Sequence, residues 1–304
     1  MNEGFAQIQD DNKNKPYDRR LCFSREEFFR GFAPKKGDNK MIEDIVDRIK
    51  SLPPLPKSFG EINAVCSNPN SGISDLAKII EADPMLVANL LKAVNSPLYS
   101  FNKEIKSVLQ AISLFGMSTT RSLITSISVK KLLSVDMEPY GVSPEKFVHI
   151  SSLQSVLVTK WYKKIDSSKT DDLFLAALLQ DTGKILIADE VVRNDETYQF
   201  KSEIETAYDV ASVEKMYVGA TTAEVTSKIF EHWGFDEKMV DMIRFSDDYE
   251  SADELRDYSL VLKILKTAVP INSPLSERSI NMAVAILEKE GIDTELFLEV
   301  VKEI

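Results

Sequence analysis

Histidine is nearly absent from this sequence. The 304 residues include two, His149 and His232. A transition-metal centre built on imidazole ligands needs several of them close together. One copy of the chain cannot supply a cluster of three or more imidazoles, so a histidine-rich metal centre within one subunit is excluded.

Cysteine is equally scarce. The two thiols, Cys22 and Cys66, lie far apart in the chain and have no Cys-x-x-Cys spacing. Such a pair predicts neither a disulfide framework nor a zinc knuckle. We therefore expect two reduced cysteines.

Long apolar segments are also missing. The longest uninterrupted apolar run, Leu173 to Leu179, is far shorter than the ~20 residues that a membrane-spanning helix needs. The first residues, MNEGFAQIQDDNKNK, lack the apolar stretch of a secretory signal. We expect a cytoplasmic protein with no membrane partner.

The charge balance is acidic, with a formal net charge of −11. Binding to nucleic acids and anionic lipids needs clustered Lys and Arg, so no nucleic-acid partner is expected. The stretch from Asp236 to Asp257 is especially acidic. It is either a solvated face or a site for a cation or a basic partner.

Helical signals dominate the rest of the chain. Apolar residues recur with the spacing of one helix face, first at Ile42, Ile45, Val46 and Ile49. Asp83-Pro84 and Ser143-Pro144 are typical helix starts. Ser107 opens a further helix that we expect to end at Gly116. Strand patterns are few, so the sequence predicts an all-α protein.

Four short motifs follow one another at suitable spacing: Leu52–Pro56, Asp83–Leu86, Asn95–Tyr99 and Ala111–Gly116. In this order they resemble the HDOD (HD-related output domain) family. The resemblance implies a multi-helical fold in which an N-terminal helical subdomain packs on a helical bundle related to HD phosphohydrolases. It also implies a role in bacterial signal transduction.

The resemblance also suggests a division of the chain. We expect a largely flexible N-terminal arm over residues 1–40, with one short helix around Ser24 to Phe32. An HDOD-like domain then covers 41–250, with the N-terminal subdomain at 41–135 and the HD-like bundle at 143–250. Residues 251–304 should form C-terminal helices packed on that domain.

The ligand positions of HD hydrolases are largely replaced here. The resemblance places His149 at the first metal-binding histidine, and Leu178–Lys184 looks like the family's His-Asp-x-Gly-Lys motif with Gln180 at the histidine position. Thr222 and Phe245–Asp247 stand where active relatives often carry histidines, and Lys266 stands at a late acidic position. An amide is a poor substitute for imidazole at a transition metal. We therefore predict a degenerate HD site with no metal, no cofactor and no catalytic residue.

Two groups of residues remain as candidates. The degenerate pocket supplies six possible binding residues: His149, Gln180, Asp181, Lys184, Thr222 and Asp247. His149 and Asp181 could still pair with each other, or each could be an ordinary structural residue of the bundle. The family signature supplies four more, Asp83, Pro84, Asn95 and Ser96, whose positions favour helix capping over recognition.

Three functions stay open at this stage. The first is a non-catalytic regulatory module that contacts a protein partner in a signalling circuit, either through the basic N-terminal arm or through the acidic stretch. The second is a divergent metal-dependent phosphohydrolase acting on a nucleotide or cyclic-dinucleotide phosphodiester. The third is a small-molecule sensor that uses the vacated bundle pocket. The sequence indicates neither the partner nor the oligomeric state.

Overall fold

The computed structural model describes residues 38–99, 103–133 and 136–304, and the secondary structure of these residues is helical without strands. The all-α prediction is confirmed. Cys22, the short helix near Ser24 to Phe32 and most of the expected arm lie outside the described residues. Residues 38–40, which we had assigned to the arm, belong to the first helix.

The first half of the described chain contains five helices. They are α1 (Asp38–Ser51), α2 (Lys57–Ser67), α3 (Ile73–Glu81), α4 (Pro84–Val94) and α5 (Val108–Leu132). Helices α2 to α5 pack against one another. The long α5 also packs on the helix Thr170–Leu179 of the second half, which joins the two groups.

The second half is a larger bundle. Its helices are α6 (Pro144–Trp161), α7 (Thr170–Leu179), α8 (Gly183–Arg193), α9 (Thr197–Thr206), α10 (Val210–Val218), α11 (Thr222–His232), α12 (Glu237–Arg244), α13 (Arg256–Ala268), α14 (Glu277–Lys289) and α15 (Thr294–Glu303). Helix α13 packs on α6, α7, α12 and α14, and α15 packs on α6. The last three helices therefore cover the bundle, and residues 38–304 form one compact unit.

Side-chain caps explain several of these helix starts. Asp83 accepts hydrogen bonds from the backbone N–H groups of Met85 and Leu86, at 2.9 and 3.2 Å, and Pro84 is the first helical residue of α4. Ser143 caps α6 in the same way, and Thr221 with Glu224 forms a capping box on α11. Each cap satisfies backbone donors that the first helical turn leaves unpaired.

The other two signature residues shape the turn after α4. The Asn95 amide donates to the Leu91 and Ile105 carbonyls at 2.8 and 2.9 Å, and its oxygen accepts from Ile105 N at 2.8 Å. Ser96 Oγ lies 3.5 Å from Leu98 N. Asn95 thus ties the end of α4 to the segment that leads into α5.

Gly116 interrupts α5. Its φ and ψ of 78° and 166° are not helical, yet a second helical segment follows directly. This backbone region is open almost only to glycine. The first helical segment therefore ends at Gly116, as expected. A second helical segment follows it directly, where a loop was expected.

Helix α1 packs on α8, α10 and α11 of the bundle. Arg48 forms ion pairs with Asp189 and with Glu190 on α8. The turn after α1 is held at the far end of α11, where Trp233 Nε1 donates to the Pro53 carbonyl at 2.9 Å. His232 Nε2 lies 3.4 Å from the Leu52 carbonyl, so this histidine contacts the proline-rich turn.

No helix in the described ranges has both the length and the apolar character that crossing a bilayer requires. The long α5 is interrupted at Gly116 and carries buried hydroxyl groups such as those of Thr120, Ser122 and Thr125.

Candidate functional site

A cavity of about 390 Å³ lies between the α7–α8 turn and helices α6, α10, α11, α13 and α14. Five of the six candidate binding residues line it: Gln180, Asp181, Lys184, Thr222 and Asp247. They come from three separate segments of the sequence. The structure therefore brings most of the predicted pocket together.

His149 does not join them. It lies on α6 but is exposed to solvent, and it is not among the residues lining the cavity. The residue of α6 that reaches the cavity is Gln154, which is fully buried. Of the two alternatives for His149 and Asp181, their pairing is absent, because the Asp181 carboxylate bonds to Gln154 and Lys184 instead.

Lys184 is the centre of the polar cluster. Its ammonium group lies 2.9 Å from Asp181 Oδ1, 3.2 Å from Glu214 Oε1 and 3.1 Å from Thr222 Oγ1. These three oxygen acceptors match the three protons of the ammonium group. Burial lowers the pKa of Lys184, but the charges of Asp181 and Glu214 outweigh it and hold that pKa above its ordinary value. The lysine is therefore a fixed cation.

Glu214 on α10 is fully buried and accepts three hydrogen bonds besides the ion pair. The Thr222 backbone N–H and hydroxyl donate to it at 2.7 and 2.6 Å, and the Tyr140 hydroxyl donates at 3.0 Å. Burial, together with the charge of Glu214, raises the pKa of Tyr140 well above its ordinary value. The carboxylate of Glu214 is thus satisfied inside the protein.

Two glutamine side chains extend the network toward α13. Gln154 Nε2 donates to Asp181 Oδ2 at 2.9 Å and to the Val269 carbonyl at 3.1 Å. Gln154 Oε1 in turn accepts from Gln180 Nε2 at 2.8 Å. The remaining oxygen of the pair, Gln180 Oε1, is buried and accepts no hydrogen bond within residues 38–99, 103–133 and 136–304.

Asp247 forms a second charged group at the cavity. Its carboxylate is 2.5 Å from Lys266 Nζ and 3.5 Å from Lys263 Nζ, both on α13, and Lys266 also donates to Ser246 Oγ at 2.9 Å. Burial by itself raises the pKa of Asp247, but the positive charges of Lys266 and Lys263 outweigh burial. The pKa of Asp247 therefore lies well below its usual range. Burial lowers the pKa of Lys266 despite the attraction of Asp247.

A glycine allows the α7–α8 turn to touch α11. A Cβ on Gly183 would lie 2.7 Å from the Thr222 carbonyl oxygen and 2.9 Å from Thr226 N. The Gly183 N–H donates to Thr226 Oγ1 at 2.8 Å, and that hydroxyl donates to the Gln180 carbonyl at 3.0 Å. Close backbone contact therefore positions Asp181 and Lys184 beside Thr222.

The donor set does not fit a divalent metal. In the described part of the chain, no group of three or more His, Cys, Asp and Glu side chains is arranged to hold a metal ion. Asp181 and Glu214 are instead oriented toward one ammonium group, and Asp247 toward another. Metal ligands must offer free lone pairs. A metal ion bound to these carboxylates would also lie close to the lysine ammonium groups, which would repel it.

Sequence reasoning missed Gln154 and Glu214. Both stand within apolar helical stripes: Gln154 four residues after Ile150, and Glu214 between Val210 and Val218. A polar residue in a buried stripe needs an internal partner. A polar residue at an apolar position of a helix therefore indicates a buried hydrogen bond, but the sequence does not identify the partner.

The family signature lies elsewhere. Asp83, Pro84, Asn95 and Ser96 shape the ends of α4, and none of them lines the cavity. Their contacts are with nearby backbone groups.

Solved structures of other proteins share this fold. A protein of Marinobacter aquaeolei VT8, provisionally named for signal transduction, aligns with a TM-score of 0.65 at 20% identity, over 88% of this chain and 62% of that one. A Campylobacter jejuni subsp. jejuni virulence factor aligns with a TM-score of 0.52 at 23% identity, over 87% and 95%. An HDOD domain protein of Geobacter sulfurreducens aligns with a TM-score of 0.55 at 16% identity, over 87% and 97%. At these identities the likeness shows the fold.

A sequence relative is an uncharacterized protein of Treponema pallidum (strain Nichols), 24% identical over 219 residues. The match covers 71% of this chain but 41% of that protein, so the chain spans about two fifths of its relative's length. The family model of the HDOD domain matches residues 52–249, which include α2 to α12 and half of the residues that line the cavity. Because the matched segment is well over half of the sequence, the chain belongs to the HDOD domain family.

Proposed function

We propose that this protein is a non-catalytic regulatory module of a signalling circuit, and that it acts by contacting a protein partner. Family membership supports the signalling context. The degenerate site supports the loss of hydrolysis. The partner is met in trans.

One observation carries the proposal: lysine ammonium groups stand against the cavity carboxylates. Lys184 lies between Asp181 and Glu214, and Lys266 lies on Asp247. Metal-dependent hydrolysis needs a cation that polarises water and phosphate together. An ammonium group neutralises the carboxylates but has no open coordination position for water, so this arrangement supports binding or structural roles over turnover.

The acidic stretch offers a contact surface for a basic partner. Some of its carboxylates are used internally, since Asp241 pairs with Arg244 and Glu250 with Lys289. Asp248, Asp253 and Glu254 are exposed, and no basic side chain within the described ranges is recorded as their partner. Exposed charges of one sign mainly accelerate association with a partner of the opposite sign.

The loss of hydrolysis is tested on the purified full chain. We expect elemental analysis to find no stoichiometric manganese, iron, magnesium or zinc, and a phosphodiesterase and nucleotidase screen with manganese to find no turnover. Stoichiometric metal together with turnover that disappears in Asp181→Ala would overturn the proposal in favour of a phosphohydrolase.

The partner is tested by affinity capture from native lysate. The wild-type chain is compared with a variant in which Asp248, Asp253 and Glu254 become the matching amides. We expect a reproducible partner whose recovery falls with the amide variant and at raised ionic strength. Recovery of no reproducible partner by the wild-type chain would contradict the interaction role. A partner retained equally by both chains would place the contact on another surface, such as the basic N-terminal arm.

A further inference from the structure

Three acidic groups of the cavity, Asp181, Glu214 and Asp209, are hydrogen-bonded by the protein itself. The fourth, Asp247, meets Lys266 and Lys263 through ion pairs, and neither of its oxygens has a hydrogen-bond partner among the described residues. Asp181 bonds to Lys184 and Gln154, and Glu214 is enclosed by Lys184, Thr222 and Tyr140. Asp209, also on the cavity wall, caps α10 through Ala211 N at 3.2 Å and accepts from Ser212 Oγ at 2.6 Å. These three carboxylates have few lone pairs left for a ligand.

The basic groups that line the cavity keep spare donors. Lys263 and Lys266 share one carboxylate, that of Asp247, and the Lys263 contact is long at 3.5 Å. Each ammonium group carries three protons. Lys266 donates one of them to Ser246 Oγ and forms an ion pair with Asp247. The two lysines also repel each other, and an incoming anion would relieve that repulsion.

Arg278 on α14 adds a cation whose recorded partners, among the described residues, are neutral. Its guanidinium donates to the Thr206 and Ala207 carbonyls at 3.4 and 3.0 Å. It also lies 3.4 Å from Ser273 Oγ and 4.6 Å from the centre of the Tyr208 ring. Arginine and lysine together are the usual recognition groups for phosphate and carboxylate.

An unused acceptor lies in the same cavity. Gln180 is 2% exposed, and its Oε1 accepts no hydrogen bond from any described residue. Buried polar atoms without a partner are rare, because the lost hydration is costly. A ligand hydroxyl that donates to Gln180 Oε1 would satisfy it.

We propose that the cavity between Gln180, Lys263, Lys266 and Arg278 binds a small dianion that also carries a hydroxyl group, as a phosphate monoester of a sugar or a hydroxylated dicarboxylate does. The volume of about 390 Å³ falls within the ordinary range of small-molecule sites. This binding goes beyond the proposed partner contact and does not depend on it.

Calorimetric titration of the full chain tests the proposal with three probes. Ribose 5-phosphate represents the phosphate monoesters of sugars, and malate represents the hydroxylated dicarboxylates. Ribose is the uncharged control. We expect saturable binding of at least one dianion and none of ribose. Whichever dianion binds more tightly identifies the source. Absence of binding by both dianions would overturn the proposal while leaving the partner capture unaffected.

Three variants locate the binding. Lys263→Gln and Arg278→Gln should each weaken the dianion by about tenfold, since each removes one charged hydrogen-bond donor. Lys302→Gln, an exposed lysine of α15 outside the cavity, removes the same charge and should leave affinity unchanged. In the described part of the chain, Lys263 forms one long ion pair, with Asp247. We therefore expect Lys263→Gln to keep the fold even where loss of the Arg278 contacts disturbs the loop. Equal affinity in wild type and Lys263→Gln would place the anion elsewhere and overturn the proposal.

Discussion

At the scale of single residues, the sequence predicted which positions face the cavity better than it predicted how they interact. Gln180, Asp181, Lys184, Thr222 and Asp247 were found from motif positions, and they do line one cavity. Their partners were not predictable, because Glu214 and Gln154 come from other helices. His149 failed as a pocket residue, since a motif position on a helix does not fix which face of that helix is buried.

Lys184→Met tests the ammonium group at the centre of the cluster. The change leaves two buried carboxylates without their cation, and breaking a buried ion pair costs about 3–5 kcal/mol. We expect a loss of that order in the free energy of unfolding, measured by urea denaturation. Lys50→Met is the control, because Lys50 pairs with Asp47 on the surface, where ion pairs contribute about 0–1 kcal/mol. Equal losses in the two variants would contradict a structural role for Lys184.

Asp247→Asn tests the second charged group through its pH dependence. The lowered pKa of Asp247 means that its ionised form stabilises the folded state above the unfolded pKa of about 3.9. This contribution is lost as the pH falls through the folded-state value. We expect wild type to exceed the variant in unfolding free energy by a constant amount between about pH 5 and 7, and by less below about pH 4. Urea titrations across this range measure the difference, and a difference that grows on acidification would contradict the assignment.

At the scale of helices, capping rules predict more of the structure than motif positions do at the scale of residues. The starts of α4, α6 and α11 follow from Asp83, Ser143 and Thr221, whose side chains cap them. Because a helix cap depends on a few neighbouring residues, a single sequence is enough to predict where a helix starts. The helix that resumes directly after Gly116 was not predictable, because a glycine that ends a helix and one that only interrupts it look alike in sequence.

Gly116→Ala tests that interruption. No atom lies within 4 Å of the Cβ it would add, so any cost comes from the backbone conformation alone. A non-glycine residue in this region costs about 1–3 kcal/mol, and thermal or urea denaturation should show a loss of that size. Gly60→Ala is the matched control, since Gly60 lies inside α2 with equally open surroundings. There alanine should stabilise by about 0.5–1 kcal/mol. A gain in both variants would mean that α5 is straight at Gly116.

At the scale of the whole molecule, the sequence does not predict which helices pack against one another. Apolar periodicity identified the buried face of α1 through Ile45 and Ile49, but not the helices it covers. Helix α1 contacts α8, α10 and α11 of the bundle, and the grouping of residues 41–135 as one N-terminal subdomain stays a prediction. The remaining divisions of the chain stay predictions.

A fragment spanning 52–249, the segment matched by the family model, tests how much of the fold the outer helices support. It lacks α1 and α13 to α15, whose buried residues include Ile45, Leu262 and Phe297. Exposing such surfaces on the bundle favours aggregation. We expect the fragment to be mostly insoluble or aggregated by size-exclusion chromatography, while residues 38–304 stay soluble. A monomeric, cooperatively unfolding fragment would contradict this dependence.

The docking of the proline-rich turn on α11 gives the protein a built-in optical probe. The chain has two tryptophans: Trp161 is fully buried and meets the Phe297 ring edge-on at 5.2 Å, whereas Trp233 is partly exposed and bonded to Pro53, 180 residues away in sequence. Indole fluorescence shifts to longer wavelength on contact with water. Emission from Trp161 therefore follows the interior of the bundle, emission from Trp233 follows release of the turn, and replacing either one by phenylalanine isolates the signal of the other.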